Sequence, residues 1–207
     1  MPYSEFTLNH LKKKFNLHVQ EDDKLFANVA PVAPSGLLRE FLDYNIPLAL
    51  KIDTEKARSE MIVVPILLEM RKHFKDEVSL FSGNDFNVDR EKGLSGKCDF
   101  IISQSPEQLE IEAPVAVMFE AKDDNIKSGI PQCIAAMIAA QIFNEQNNNT
   151  ISCIYGVVTT GTNWKFMKLT ENTVFIDAEE HFIGSLELIL GILAEIIQTT
   201  RPNNLAA

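Results

Sequence analysis

The sequence predicts a single α/β domain of the α+β sandwich kind, one sheet held between helices, and three observations carry that prediction. Apolar runs of strand length, Lys97 to Ser103, Val115 to Lys122 and Ile151 to Thr159, stand beside a longer segment of helical character, Ser128 to Asn144. The order along the chain is helix, three strands, helix, strands, helix, with no internal repeat and no interdomain linker. The length, 207 residues, suffices for one sizeable core.

The first fifty residues read as helical and irregular. Leu8, Leu11 and Phe15 fall at helical spacing, Pro31 and Pro34 mark a connection, and Ser35 is placed to cap a short helix carrying Leu37, Leu38 and Phe41. A longer helix follows Thr54, an N-cap residue, and runs through Met61, Ile62, Leu67 and Leu68 to about His73; Pro65 is expected to kink or split it. Val78 to Phe81 reads as the first strand, with Phe86 and Val88 continuing past a Gly83-Asn84 turn. After the strands at Lys97 and Val115, the Ala- and Ile-rich helix stops in the polar run Gln146-Asn147-Asn148-Asn149. Ile151 to Thr159 and Trp164 to Leu169 then read as neighbours across Thr160-Gly161-Thr162-Asn163, with a short strand at Val174 to Ile176. A helix from Ser185 to Ile197 closes the pattern. This divides the chain into an N-terminal helical extension over 1–53, a core over 54–170, and a C-terminal strand and helix over 171–207.

Charge limits the function classes. Lys and Arg number 19 against 29 Asp and Glu, a formal net charge of −10, which argues against holding nucleic acid by bulk positive charge alone. The acidity is uneven. Residues 171–200 carry Glu171, Asp177, Glu179, Glu180, Glu187 and Glu195 and no Lys or Arg, so a local basic groove elsewhere stays compatible with the composition. Cys98, Cys133 and Cys153 are odd in number, lack a CxxC pair and lie among apolar residues, as reduced core thiols of a cytoplasmic protein would. Met1-Pro2-Tyr3-Ser4-Glu5 has neither a basic nor an apolar leader segment, and Gln132, Gln141, Glu187 and Glu195 interrupt the greasiest stretches, so neither a signal peptide nor a membrane span is expected. No Walker-type loop, G-x-G-x-x-G or G-x-S-x-G occurs.

The chemistry concentrates where Val115-Ala116-Val117-Met118-Phe119 ends in Glu120-Ala121-Lys122. Strand alternation sends Glu120 and Lys122 to one face. The same Asp/Glu-x-Lys pattern occurs at Asp22-Asp23-Lys24, but in a polar stretch; Glu120 closes a strand that calls for burial, and a carboxylate there needs a partner. Asp99 lies inside the preceding apolar strand. If the two strands are neighbours, two carboxylates converge, and a divalent cation such as Mg²⁺ relieves their repulsion while keeping several waters. Lys122 would then position or activate water and offset charge on a phosphate.

These residues resemble the pattern of the PD-(D/E)XK, or restriction-endonuclease-like, superfamily, whose core runs helix, three strands, helix, strand. The resemblance covers roughly residues 54 to 170 and is greatest to uncharacterised bacterial members. It implies an acidic residue on the first core helix at Glu60, an aspartate on the second strand at Asp99, and Glu-x-Lys on the third at Glu120 and Lys122. For active members it implies a Mg²⁺- or Mn²⁺-dependent phosphodiester hydrolase acting on DNA, with Asp99 and Glu120 as metal ligands and Lys122 beside the water. Glu60 read alone is equally a solvated helix-face residue next to Arg58.

Secondary candidates are Gln132, early in the helix after Glu-x-Lys, and Trp164 with Lys165, which would stack on a base and touch a phosphate. Gln132 departs from the exonuclease-like pattern because Ala136, not Tyr, stands four residues on, and a tryptophan beside a turn is more often packed on its sheet. Asp123 and Asp124 would extend the ligand set or simply solvate a turn. The rival expectation is a non-catalytic nuclease-like module that works through protein partners, which the net acidity favours. Finally, apolar residues wrap most of the Ser185–Ile197 helix, and either the N-terminal helical extension or a second subunit must cover the remainder; a homodimer is the expectation.

Overall fold

The structure, a computed structural model, describes residues 2–21, 24–149 and 151–201. Asp22 and Asp23 of the second Asp/Glu-x-Lys pattern, and the chain beyond residue 201, lie outside the described residues. The protein is a mixed α/β sandwich built on an eight-stranded sheet of order β1-β7-β6-β5-β4-β3-β2, with β8 pairing β6 off that path.

The strands β2 (Ser79–Asp85), β3 (Lys97–Ser103) and β4 (Val115–Ala121) form an antiparallel meander. The helix α5 (Ile126–Gln146) then carries the chain across to β5 (Ile154–Thr159), which pairs parallel to β4. β6 (Asn163–Thr170) and β7 (Thr173–Ile176) return antiparallel. Both members of the central parallel pair are buried at every position, as a strand covered on both faces must be. Against one face lies α5, where Ala135, Ala136, Ala139 and Ala140 are buried and permit close approach; α1 (Leu8–Lys14) contacts α5 there. Against the other lie α2 (Gly36–Ile52), α4 (Val64–His73) and α6 (Leu186–Thr199).

Several expectations change here. Ser35 does cap α2, accepting the Leu38 N–H at 3.2 Å, but the helix runs seventeen residues. The helix after Thr54 is α3 (Glu55–Arg58), joined to α4 through a π-helical stretch, Ser59–Val63. Pro65 explains the break, since it supplies no N–H and its ring crowds the carbonyl four residues back, which a widened turn accommodates. Gly83-Asn84 is not a turn: β2 continues through Gly83, whose φ of +67° an L side chain would strain. The N-terminal region adds a strand, β1 (His18–Gln20), parallel to β7 at the sheet edge, and His181–Phe182 forms β8.

The all-round apolar helix α6 is covered within the chain. Leu186, Ile189, Leu190, Ile192, Leu193, Ile196 and Ile197 are buried. Val32 donates its N–H to the Glu187 carbonyl at 2.8 Å, and the Ala30 carbonyl lies 2.3 Å from where a Cβ on Gly191 would stand. The N-terminal segment therefore closes over the surface that motivated a dimer through this helix. Among the described residues α5 alone has the length and apolarity to cross a membrane, and it is packed as a core helix. All three cysteines are buried and unpaired.

Candidate functional site

Strand alternation builds the site. On β3, Phe100 and Ile102 face α4 and α6 while Ile101 faces α5; on β4, Phe119 faces α4 and α6 while Met118 faces α5. Glu120 thus starts from the α5-side face with Met118; on β3 the alternation breaks at Cys98, which packs with the α5-side cluster, and Asp99 lines the cleft beside α3. Backbone pairing of β3 with β4 is regular at Phe100↔Phe119. Beyond it the Asp99 side chain takes over: its Oδ2 accepts the Ala121 N–H at 2.7 Å. A carboxylate is thereby held at the point where the ladder gives out.

Lys122 completes the group, donating from Nζ to Glu120 Oε1, with side chains only 19% and 5% exposed. Its N–H goes to the Thr159 carbonyl of β5 at 2.8 Å. Gly129 of α5 lies directly over this pair. A Cβ there would stand 3.2 Å from the Cγ atoms of Glu120 and Lys122 and 2.7 Å from Val158 Cγ1, so only glycine lets the helix sit this close.

The electrostatics follow from burial. Glu120 is pushed up to about 8, first by desolvation and then by the Asp99 charge, against the pull of Lys122. Asp99 is raised by desolvation, partly offset by the Ala121 N–H and Lys122. On Lys122 desolvation acts downward, but its bond to Glu120 and the surrounding carboxylates outweigh this and keep it charged. Burial and the neighbouring carboxylates drive the Cys98 thiol upward, and the Cys133 thiol likewise, so neither is a nucleophile at neutral pH.

The first core helix brings two acidic residues to the site, Glu60 and Glu55. Glu55 is raised mainly by desolvation, with Lys122, Asp99 and Asp123 all acting on it, and its charge in turn acts on Glu120. With Ser59 one turn on, and with Ser82, Gly83, Asp99 and Ala121, it lines a cleft of about 230 Å³. Glu60 lines the same cleft and forms an exposed ion pair with Lys56. Glu55 was hidden from sequence reasoning because an acid directly after an N-cap reads as a partner for the helix dipole; Thr54 accepts the Ala57 N–H at 3.2 Å, fixing that first turn at the cleft.

The remaining candidates separate. Trp164 is fully buried, donates its indole N–H to the Gly161 carbonyl at 3.0 Å and stacks near Phe166, so it has no face for a base. Lys165 lies in one cross-strand row with Glu120, through Val158, two strands or about 10 Å away. It lines a separate cavity with Lys127, Glu21 and Glu180. Gln132 is half-buried on α5, one turn beyond Gly129. Asp123 and Asp124 are exposed, and Asp123 accepts the Asp124 N–H at 2.9 Å.

Among the described residues no three His, Cys, Asp or Glu side chains form a ready-made metal cage. Asp99 and Glu120 are nevertheless two desolvated carboxylates whose mutual charge raises Glu120, which is the electrostatic condition a hard cation relieves, and Mg²⁺ is held by one or two carboxylates with waters retained. The chain matches no protein-family model and no curated protein.

Proposed function

We propose that this protein is a Mg²⁺- or Mn²⁺-dependent nuclease whose helix, β2-β3-β4, α5 and β5 constitute a restriction-endonuclease-like core, hydrolysing phosphodiester bonds of DNA at the cleft that Asp99 and Glu55 line, beside Glu120 and Lys122. The observation that carries the reading is the juxtaposition of a buried carboxylate, Glu120, and a half-buried one, Asp99, with a charged lysine at one strand end beside an open cleft. Burial and the Asp99 charge hold the Glu120 carboxyl above the ordinary carboxylate range, a perturbation that sites of chemistry share.

Asp99 and Glu120 would hold the cation, with Glu55 across the cleft, and when bound it would supply Lewis-acid stabilisation for phosphoryl transfer. Lys122 orients the attacking water and offsets charge building on the phosphate oxygens. A water oxygen bonds to phosphorus and the bond to the leaving oxygen breaks; one proton is lost from the water and one is gained by the leaving oxygen. Glu120 is the present partner of the Lys122 ammonium, and were Glu120 to hold the cation instead, that ammonium would be available to the phosphate. Substrate would approach from the Lys122 side and away from the acidic residues of 171–200, so binding should weaken steeply with salt.

The deciding experiment offers linear duplex, circular duplex and single-stranded DNA, and RNA, with Mg²⁺, Mn²⁺ or EDTA. Cleavage of DNA with either metal and none in EDTA is expected; cleavage that persists in EDTA overturns the assignment. A second reading, a non-catalytic module working through protein partners, draws on the net charge of −10. Filter binding without detectable nucleic acid at low salt, even with metal, would favour it.

A further inference from the structure

Nine large apolar side chains stand exposed among the described residues, and seven of them belong to α2 and α4. On α2, Leu37, Phe41, Tyr44, Leu48 and Ile52 follow one another at intervals of four, three, four and four residues, the spacing of a helix–helix seam. Their exposures are 73%, 40%, 78%, 41% and 45%. The stripe is distinct from the face that α2 uses for its own core, which is formed by Leu38, Leu42 and Ala49. Leu68 of α4, 51% exposed, widens it, and Leu37, Phe41, Val64, Pro65 and Leu68 line an apolar groove of about 350 Å³.

We propose that this stripe is the interface of a homodimer in which α2 packs antiparallel against α2 of a second copy. The apolar surface it leaves in water is on the order of 600 Å², the upper end of what a monomer normally leaves wet. Two such patches face to face, with their polar rims, reach the roughly 1,200 Å² or more of a specific interface. Charge selects a second copy in the antiparallel sense. Glu40 and Lys51 are both exposed and stand eleven residues apart, three turns, on the same flank of the stripe. A two-fold axis across the middle of α2, near Tyr44, brings the Glu40 end of one copy toward the Lys51 end of the other, on both sides of the axis at once. A parallel pairing would put the two flanks on opposite sides of the seam and leave Glu40 and Lys51 without each other. The interface borders the candidate cleft, because Glu60 and Val64 line both the groove and the cleft.

The test is the mass of the full-length protein by light scattering and sedimentation, independent of any reaction at the cleft. The expected result is a mass of two chains at micromolar concentration. Leu37→Lys combined with Tyr44→Arg, both at positions already exposed in one chain, should give a monomer with an unchanged circular dichroism spectrum. Glu40→Lys should raise the dimer dissociation constant roughly tenfold, and adding Lys51→Glu should restore it. A mass of one chain at about 100 µM, weaker than any specific dimer of this area, overturns the proposal and leaves the stripe to another occupant. A dimer that survives the Leu37 and Tyr44 substitutions overturns it equally.

Discussion

Asp177, just beyond β7, and Glu120, near the end of β4, are both almost completely enclosed, with side chains 1% and 5% exposed. Their surroundings treat the charge in opposite senses. Burial would raise Asp177, but the hydrogen bond from His181, the Glu179 N–H, the His181 charge and the Leu25 N–H together outweigh it, and its carboxyl is held below the ordinary value. His181 Nε2 lies 3.0 Å from Asp177 Oδ2, and the Glu179 N–H 3.2 Å from Oδ1. Glu120 has one partner, Lys122, and faces the charges of Asp99 and Glu55. The first carboxylate is saturated by the fold and serves to tie the N-terminal segment and β8 to the sheet. The second is left with unmet demand for positive charge at a cleft, and unmet demand is what a ligand can answer.

The largest effect expected at the unsaturated site is on chemistry. Lys122→Ala should lower metal-dependent cleavage at least 10³-fold, about 4 kcal/mol of transition-state stabilisation, while the protein stays folded at pH 7 because Glu120 can protonate. Single-turnover assays beside a thermal melt would show this. Retained activity would place the lysine in packing instead.

The saturated site should respond the other way, in stability and not in activity. Asp177→Ala strips acceptors from His181 and from the Leu25 and Glu179 N–H groups, and should cost about 3 kcal/mol in urea unfolding. Because the folded value of Asp177 is depressed, its stabilisation is present above the unfolded carboxylate range and is lost as pH falls through the folded value. A wild-type acid limb steeper than that of Asp177→Asn is the expected signature. Matching acid limbs would show that the pair contributes nothing.

Glu55 and Glu60 sharpen the comparison within the cleft. Glu55→Gln should weaken Mg²⁺ or Mn²⁺ binding roughly tenfold, about 1.4 kcal/mol, whereas Glu60→Gln removes an exposed pair and should change affinity less than about twofold. Isothermal titration with the metal alone reads both. Equal effects would show that Glu60 contributes as much as Glu55.

What the sequence discloses depends on how much of an element is buried. β3, β4, α5, β5 and β6 are legible because their apolar runs are long, and period-two alternation then put Glu120 and Lys122 on one face; the nearness of Asp99 depended on β3 and β4 being neighbours, which the sheet supplies. β1 is three residues with only Val19 half-buried, and β8 is two, too short to leave a pattern. Glu55 was missed because a first-turn acid has an ordinary explanation. Trp164 was offered for stacking because its apolar partners come from elements distant in sequence. The cover over α6 by the N-terminal region was ranked below a second subunit for a related reason: it comes from residues near 30, an irregular connection whose contact with the helix is partly backbone.

The smallest expected effect is the most specific to the unsaturated carboxylate. Glu120 binds its proton more tightly folded than unfolded, so between about 4.5, its ordinary value, and about 8 the folded state holds more protons than the unfolded one. Wild-type stability should therefore fall as pH rises across that window, the reverse of the slope Asp177 imposes at low pH. Glu120→Gln keeps the shape and cannot ionise. Its gain over wild type should be absent near pH 4.5 and grow as pH rises toward 8. Adding Mg²⁺ or Mn²⁺ should reverse the ranking, since a cation that binds only the folded wild type stabilises it in proportion to the logarithm of its concentration. Melting curves from pH 4.5 to 9, with and without metal, separate the terms. If the two proteins keep parallel pH profiles and neither responds to metal, Glu120 is compensated as fully as Asp177 and the cleft holds no special demand for a cation.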